Sequence, residues 1–149
     1  MLSGLVVLAV VLAVASAAGI GIRRRQGKFN AEPAPMATPG ALSAAELGVP
    51  LGTRATLVQF SAGVCAYCGP ARRLLTEIAA ERDDVAFVEI DAAARMDLTR
   101  RLRVLATPTV LVLDARGGVA SRSSGPQRKA DITAALGKAL VPADGGIAP

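Results

Sequence analysis

The two cysteines of this chain are three residues apart, at a point where an apolar run gives way to a helical pattern. Residues 57–60 form a short apolar run that is typical of a buried strand. After the cysteines, apolar side chains recur at the spacing of one helix face, at Leu74, Leu75, Ile78 and Ala79. We therefore expect Cys65 and Cys68 to lie where a strand ends and a helix begins.

This position favours redox chemistry over a structural role for the pair. Free N–H groups and the helix dipole stabilise an anion at a helix N-terminus, and the thiolate is the species that attacks a disulfide. We predict that Cys65 is the nucleophile and that Cys68, one helical turn further on, is the resolving thiol. A disulfide that closes so short a loop would stabilise the fold little.

Two other interpretations of the cysteines stay open: buried apolar side chains, or ligands of a metal ion. Zinc takes four ligands in structural sites. With 2 Cys and 0 His, this chain would need carboxylates or a second copy to complete such a site. We therefore predict no metal and no dissociable cofactor.

The segment from residue 56 onward predicts a mixed α/β domain. Residues 85–90 and the continuous apolar run 109–113 are predicted strands, and a hairpin partner follows from about Val119. Two further helical stripes are present, at Leu98, Leu102 and Leu105, and at Ile132, Ala135, Leu136, Ala139 and Leu140. The order β-α-β, helix, β-β-α predicts a parallel pair and an antiparallel pair in one sheet, with helices on both faces.

The N-terminal segment predicts a membrane anchor. Residues 2–22 carry no charged side chain, and about 20 apolar residues suffice for a helix that crosses the membrane. A cleaved secretory signal is the alternative. It is less favoured because no basic residue precedes the run, and the run exceeds the roughly 7–15 residues of a signal core.

These features divide the chain into four parts. We predict a transmembrane anchor over residues 1–22, a basic flank and Pro/Ala-rich linker over 23–55, the α/β domain over 56–141 and a disordered tail over 142–149. Within the linker, a short helix at residues 43–47 is possible, with Ser43 as its N-cap and Glu46 three residues later.

Basic residues suggest an orientation for the anchor. Arg23, Arg24, Arg25 and Lys28 directly follow the apolar run, and cytoplasmic flanks carry the Lys/Arg excess. We therefore expect the domain in the cytoplasm, with an extracytoplasmic domain as the alternative, because disulfide chemistry is common there.

The formal charge of +5 comes with no Trp, one Tyr and three Phe. That leaves no stacking platform for bases, so we predict no nucleic-acid partner.

A second motif directly precedes the predicted strand 109–113: Ala106-Thr107-Pro108-Thr109. Together with residues 59–65 and 88–91, it makes the chain resemble the thioredoxin superfamily from about residue 56 to 140. The resemblance implies a thioredoxin-like fold and a protein thiol–disulfide oxidoreductase. Its partners would be protein disulfides and an upstream dithiol electron donor, and a cytoplasmic domain would act as a reductant.

The resemblance also implies roles for residues around the cysteines. The Thr107–Pro108 bond would be cis and face the cysteines, and the Thr107 backbone would pair with an extended substrate peptide. Val64 and Tyr67, which flank Cys65 and Cys68, would contact the substrate as well.

Several positions depart from the family pattern. Val64 replaces the Trp before the first cysteine, and Ala66-Tyr67 replaces Gly-Pro between the two. The family's buried carboxylate falls at Gln59 and its lysine partner near Phe87. Pro70 stands early in the active-site helix, so that helix either starts nearer Cys68 or is kinked. These departures keep a non-catalytic binding or adaptor module as the alternative function.

Overall fold

The structure is a computed structural model that describes residues 2–25, 30–31 and 41–139. In chain order its elements are α1 (Leu2–Arg25), β1 (Asn30–Ala31), α2 (Ala44–Leu47), β2 (Ala55–Ser61), α3 (Cys68–Ala80), β3 (Val85–Asp91), α4 (Met96–Arg101), β4 (Thr109–Asp114), β5 (Val119–Ser124) and α5 (Lys129–Ala139). The predicted tail over 142–149, and Leu140 of the last helical stripe, lie outside the described residues.

The strands form one mixed sheet in the order β1-β5-β4-β2-β3. Strand β2 pairs parallel to β3 and antiparallel to β4, and β4 pairs antiparallel to β5. The predicted parallel and antiparallel pairs are therefore confirmed, and the central β2–β4 pair joins them. Strand β1, within the predicted linker, adds a short antiparallel edge beside β5.

Helices cover both faces of this sheet, as predicted, and they bury its two central strands almost completely. Successive residues of a strand point to opposite faces. Accordingly, Val110 and Val112 of β4 join one apolar cluster, and Leu111 and Leu113 join the other. The first cluster includes residues of α3 and α5, and the second includes residues of α2 and α4.

The folded domain begins earlier than residue 56, so the predicted linker over 23–55 is too long. Leu42 is fully buried in the core, and its N–H donates to the Gly117 carbonyl at 2.9 Å. The short helix predicted at residues 43–47 is present as α2, and Ser43 and Glu46 form a complete capping box. The Pro/Gly/Ala-rich composition of this segment gave no indication that Leu42 is buried, because that burial depends on contacts far along the chain.

Helix α4 is shorter than its sequence pattern suggested. It ends at Arg101, and Arg103 has a left-handed backbone with φ 49°. Leu98 and Leu102 are buried as predicted, but Leu105 lies beyond the helix and is 94% exposed. A residue in the left-handed region ends a helix, so the stripe could not continue to Leu105.

Helix α1 covers residues 2–22 of the predicted anchor. Side chains within it are described at residues 6, 7 and 10–20, and all of them are exposed. Among the residues that the structure describes, no helix is long and apolar enough to span a membrane. The transmembrane anchor is therefore not supported by the structure and stays a prediction from the sequence.

Candidate active site

Both cysteines lie at the junction between β2 and α3, as the sequence predicted. Cys65 and Cys68 form a disulfide with their Cα atoms 5.5 Å apart. The Cys68 N–H donates to the Cys65 carbonyl at 3.3 Å, which closes the loop into a tight turn. The strand end and the helix start hold this turn from both sides, so the pair has a defined place at one end of the sheet.

The two cysteines differ in exposure. Cys68 is 5% exposed and is the first residue of α3. Cys65 lies in the preceding turn and is half-buried. Only Cys65 is therefore open to a bulky substrate, and a nucleophile must be accessible to its target.

The start of α3 corrects the expected place of Cys65. The helix begins at Cys68, with Tyr67 as its N-cap, so Cys65 precedes the first helical residue by three positions. Pro70 is then the third helical residue, where an N–H has no partner within the helix, and its ring costs no hydrogen bond. The first helical bond runs from the Ala71 N–H to the Tyr67 carbonyl at 3.1 Å. Cys65 therefore gains less from the helix dipole than expected, and exposure is what separates the two sulfurs.

The group buried beneath Cys68 is an amide. Gln59 is fully buried, and its Nε2 donates to the Cys68 carbonyl at 2.9 Å. Its Oε1 has no hydrogen-bond partner among the described residues. On the neighbouring strand, Glu89 occupies the same register as Gln59, and its carboxylate pairs with Arg72 at 3.2 Å. The side chain that contacts Cys68 therefore anchors the helix start but cannot accept a proton.

The segment around Pro108 lies at the same end of the sheet as the cysteines. Strands β2 and β4 are antiparallel, with Phe60 opposite Thr109, so the end of β2 meets the start of β4. The Thr107–Pro108 peptide bond is cis, as the resemblance implied. The Thr109 hydroxyl donates to the Ala106 carbonyl at 2.7 Å, and the Gly125 N–H donates to the Pro108 carbonyl at 2.8 Å. Pro108 is buried and Thr107 is half-buried, so this turn is held firmly while Thr107 reaches the surface.

Three apolar side chains are exposed at this end of the domain. Val64 is fully exposed and Tyr67 is half-exposed, and both were predicted to contact substrate. Leu105, on the segment that leads to Pro108, is the third. The sequence did not point to Leu105, because its spacing from Leu98 and Leu102 matched a helix face. Exposed apolar residues near a reactive pair are typical of an interaction surface.

Metal ligands are sparse in the described part of the chain. Across residues 41–139 and the two N-terminal segments, no three His, Cys, Asp or Glu side chains are grouped in a way that could hold a metal ion.

Comparison with known proteins identifies the fold. A model of the thioredoxin family matches residues 48–138. A chloroplastic thioredoxin z, whose structure is described as defining a type-specific target recognition, is similar at 27% identity and a TM-score of 0.55, over 66% of this chain and 90% of that one. A malarial protein shares the fold at 19% identity and a TM-score of 0.53, over 59% of this chain and 99% of that one. No curated protein matches the sequence. Because the family match spans most of the chain and includes the cysteine pair, the chain belongs to the thioredoxin family.

Proposed function

We propose that this protein is a thiol–disulfide oxidoreductase that reduces protein disulfides through Cys65 and Cys68. The observation that carries the proposal is a disulfide-forming pair with one accessible and one buried sulfur. Its place at a strand-to-helix junction, at the same sheet end as the Thr107–Pro108 turn, supports the same chemistry.

The reaction needs two exchange steps. The Cys65 thiolate attacks one sulfur of a substrate disulfide, and the other substrate sulfur leaves as a thiolate that takes up a proton. Cys68 then loses its proton and attacks the Cys65 sulfur, which releases the second substrate thiol. The two electrons of the dithiol have passed to the substrate, and the Cys65–Cys68 disulfide remains. A dithiol protein of higher reducing power must then restore the pair.

Substrate would bind beside the exposed sulfur. Val64 and Tyr67 present apolar surface on either side of Cys65. Thr107, half-buried on the turn at the same end of the sheet, would offer its backbone groups. An extended peptide could pair with those groups while its disulfide reaches Cys65, since main-chain bonds give affinity without demanding one sequence.

We also propose that residues 2–22 tether the protein to a membrane with the domain in the cytoplasm. The apolar run and the four basic residues after it, Arg23, Arg24, Arg25 and Lys28, support this placement. In a reducing compartment the pair would be kept as a dithiol, which favours the reductant direction.

A second candidate, a thioredoxin-fold adaptor without turnover, is favoured by one observation. Gln59 places an amide beneath Cys68, so the group that contacts this residue cannot help it lose a proton. Such a protein would hold a partner without releasing it by exchange.

An insulin reduction assay separates the two candidates. We expect the full-length protein, with dithiothreitol as electron source, to accelerate precipitation of the insulin B chain well above the dithiothreitol background. A variant with both cysteines changed to Ser is the matched control and should fall to that background. Equal rates for the wild type and this variant would favour the adaptor.

A further inference from the structure

Two exposed arginines, one in α3 and one ahead of the Pro108 turn, have no carboxylate partner among the described residues. Arg73 and Arg103 are both exposed, and neither forms an ion pair with any described residue. Several other basic side chains are paired with acids: Arg72 with Glu89, Arg95 with Asp97, Arg101 with Glu46, Arg128 with Asp131, and Lys129 with Glu77 and Glu81. Arg100, three residues before Arg103, is also exposed and forms no ion pair with a described residue. Local acids therefore leave the positive charge of Arg73 and Arg103 uncompensated.

Both arginines belong to segments that form the active-site end of the domain. Arg73 lies in α3, and its Nη1 is 3.9 Å from the place that a Cβ on Gly69 would take, beside Cys68. Arg103 lies between α4 and the Pro108 turn, two residues before the exposed Leu105. Positive charge is thus present both on the helix that begins at Cys68 and on the segment that leads to the Pro108 turn.

Arg103 also occupies a backbone conformation that does not suit it. Its φ of 49° is left-handed, and within the described ranges it is the one non-glycine residue with positive φ. Glycine adopts this conformation without the steric cost that a Cβ brings. Folding alone would favour glycine here, and a strained residue on a segment that leads to a reactive site is a candidate for a functional role.

We propose that Arg73 and Arg103 select substrates whose reactive disulfide is flanked by Asp or Glu. This inference rests on the proposed reductase function and names its substrate class. The exposed side chains of Val64, Tyr67 and Leu105 contact the apolar part of the substrate segment, and the two guanidinium groups attract its carboxylates.

The physical effect is on encounter rather than on tight binding. Exposed ion pairs contribute little affinity because water and salt screen them. Uncompensated charge of one sign nevertheless raises the association rate of an oppositely charged partner, and this gain falls steeply with ionic strength. The preference for acidic substrates should therefore appear in the second-order rate constant for the reaction of the reduced protein with a substrate disulfide at low salt.

Three synthetic peptides test the proposal. Each carries the same apolar segment and one intramolecular disulfide, flanked by Asp and Glu, by Asn and Gln, or by Lys and Arg. The full-length protein is reduced first, and its oxidation by each peptide is followed in single turnover. We expect the acidic peptide to react about 10-fold faster than the basic one at low salt, at the lower end of known electrostatic steering. The ratio should approach one at about 1 M salt, where the screening length is about 3 Å.

Two variants and one control test whether the difference in rate between the acidic and basic peptides depends on Arg73 and Arg103. Arg73→Gln and Arg103→Gly should each lower the acidic-to-basic ratio, and Arg103→Gly also removes the backbone strain, so misfolding is not expected. Arg116→Gln removes an equally exposed arginine in the β4–β5 turn, at the opposite end of the sheet, and should leave the ratio as it is. A ratio of one in the wild type, or a ratio that both Arg73 and Arg103 variants retain, overturns the proposal while the reductase function stands. Failure of all three peptides to oxidise the protein would overturn the reductase function, and the selection with it.

Discussion

Cys65 and Cys68 differ more in their exposure than in their relation to the helix. Cys68 is the first residue of α3 and is almost completely buried, while Cys65 precedes the helix and is half-buried. A substrate disulfide can approach only the outer sulfur. The inner sulfur is well placed to attack Cys65 after a mixed disulfide forms, because the pair already closes a short loop.

Single-cysteine variants test these roles. We expect Cys65→Ser to abolish disulfide exchange, because no accessible thiol remains. We expect Cys68→Ser to accumulate partners as mixed disulfides, because the resolving step is lost. Non-reducing gel electrophoresis with a protein substrate distinguishes the two. Preferential alkylation of Cys68 in the reduced wild type near neutral pH would contradict the assignment.

In the proposed reaction, the amide of Gln59 would limit the rate of the resolving step. Cys68 must lose a proton before it attacks, and the Gln59 side chain cannot accept it. We expect Gln59→Asp to speed resolution, or at least to shift its pH dependence, at some cost in stability from a buried carboxylate. Asn has nearly the same shape as Asp but carries no ionisable group, so Gln59→Asn serves as the control. If the two variants resolve mixed disulfides at the same rate at every pH, the missing acid is not limiting.

Among the elements, the four-residue helix α2 shows how a short segment is held in place. Its capping box satisfies backbone donors at both Ser43 and Glu46. The Glu46 carboxylate also pairs with Arg101 of α4 at 2.6 Å, which connects two helices on the same face of the sheet. A helix this short has little stability of its own, so these contacts and the burial of Leu47 maintain it.

The Glu46 carboxylate predicts a pH dependence of stability. Hydrogen bonds from the Ser43 backbone and from Arg101 lower its pKa from 4.5 to about 2. A lowered pKa means that the stabilisation is present above pH 4.5 and is lost as the pH falls towards about 2. We expect Glu46→Gln to be less stable than wild type at neutral pH, with a difference that shrinks in acid. Denaturant unfolding of both proteins at several pH values measures this. A difference that does not change with pH would contradict the prediction.

The burial of Leu42 predicts a large effect in a segment that looks like a linker. Leu42 is fully buried in the core, so Leu42→Ala should lower the free energy of unfolding by about 2–5 kcal/mol. Leu105→Ala is the matched control, because that leucine is 94% exposed, and its effect should stay within about 0.5 kcal/mol. If Leu42→Ala lowers the free energy of unfolding as little as Leu105→Ala does, residues before α2 do not form part of the cooperative unit.

At the scale of the whole molecule, the structure describes a thioredoxin-fold domain and an apolar N-terminal helix. The described strands form a five-stranded mixed sheet with helices on both faces, and its cysteine-bearing end is formed by two segments that are distant in sequence, the β2–α3 junction and the Pro108 turn. How the N-terminal helix is used decides where this end meets substrates and which donor can reduce it.

The proposed orientation predicts a labelling pattern in cells. The chain has only two cysteines, so a thiol reagent reports on Cys65 and Cys68 alone. We expect a membrane-impermeant maleimide to leave the protein unlabelled in intact cells and to label it after permeabilisation and reduction. Labelling in intact cells after a brief external reduction would place the domain outside and reverse the proposal. Recovery of the protein in the soluble fraction would contradict the proposed membrane anchor.

Much of the architecture could be predicted from the sequence because the relevant signals are local. The apolar run 109–113 identified a strand buried on both faces, and the stripe at Leu74, Leu75 and Ile78 identified the active-site helix. The order of these segments led to the mixed sheet. The cysteine spacing and the Thr107–Pro108 motif, each a few residues long, identified the reactive end.

Contacts between distant segments decided the rest. Leu42 is buried because it packs into the core cluster with residues of β2 and β4, and its N–H donates to the carbonyl of Gly117, 75 residues later. A linker composition does not indicate such contacts. Leu105 is exposed because the backbone at Arg103 turns left-handed, although its spacing continued a helical stripe. The helix start at Cys68 and the bond from Gln59 to its carbonyl likewise depend on how β2 and α3 pack. Periodicity reports which face of an element is apolar, but only the folded chain determines where each element ends and what that face meets.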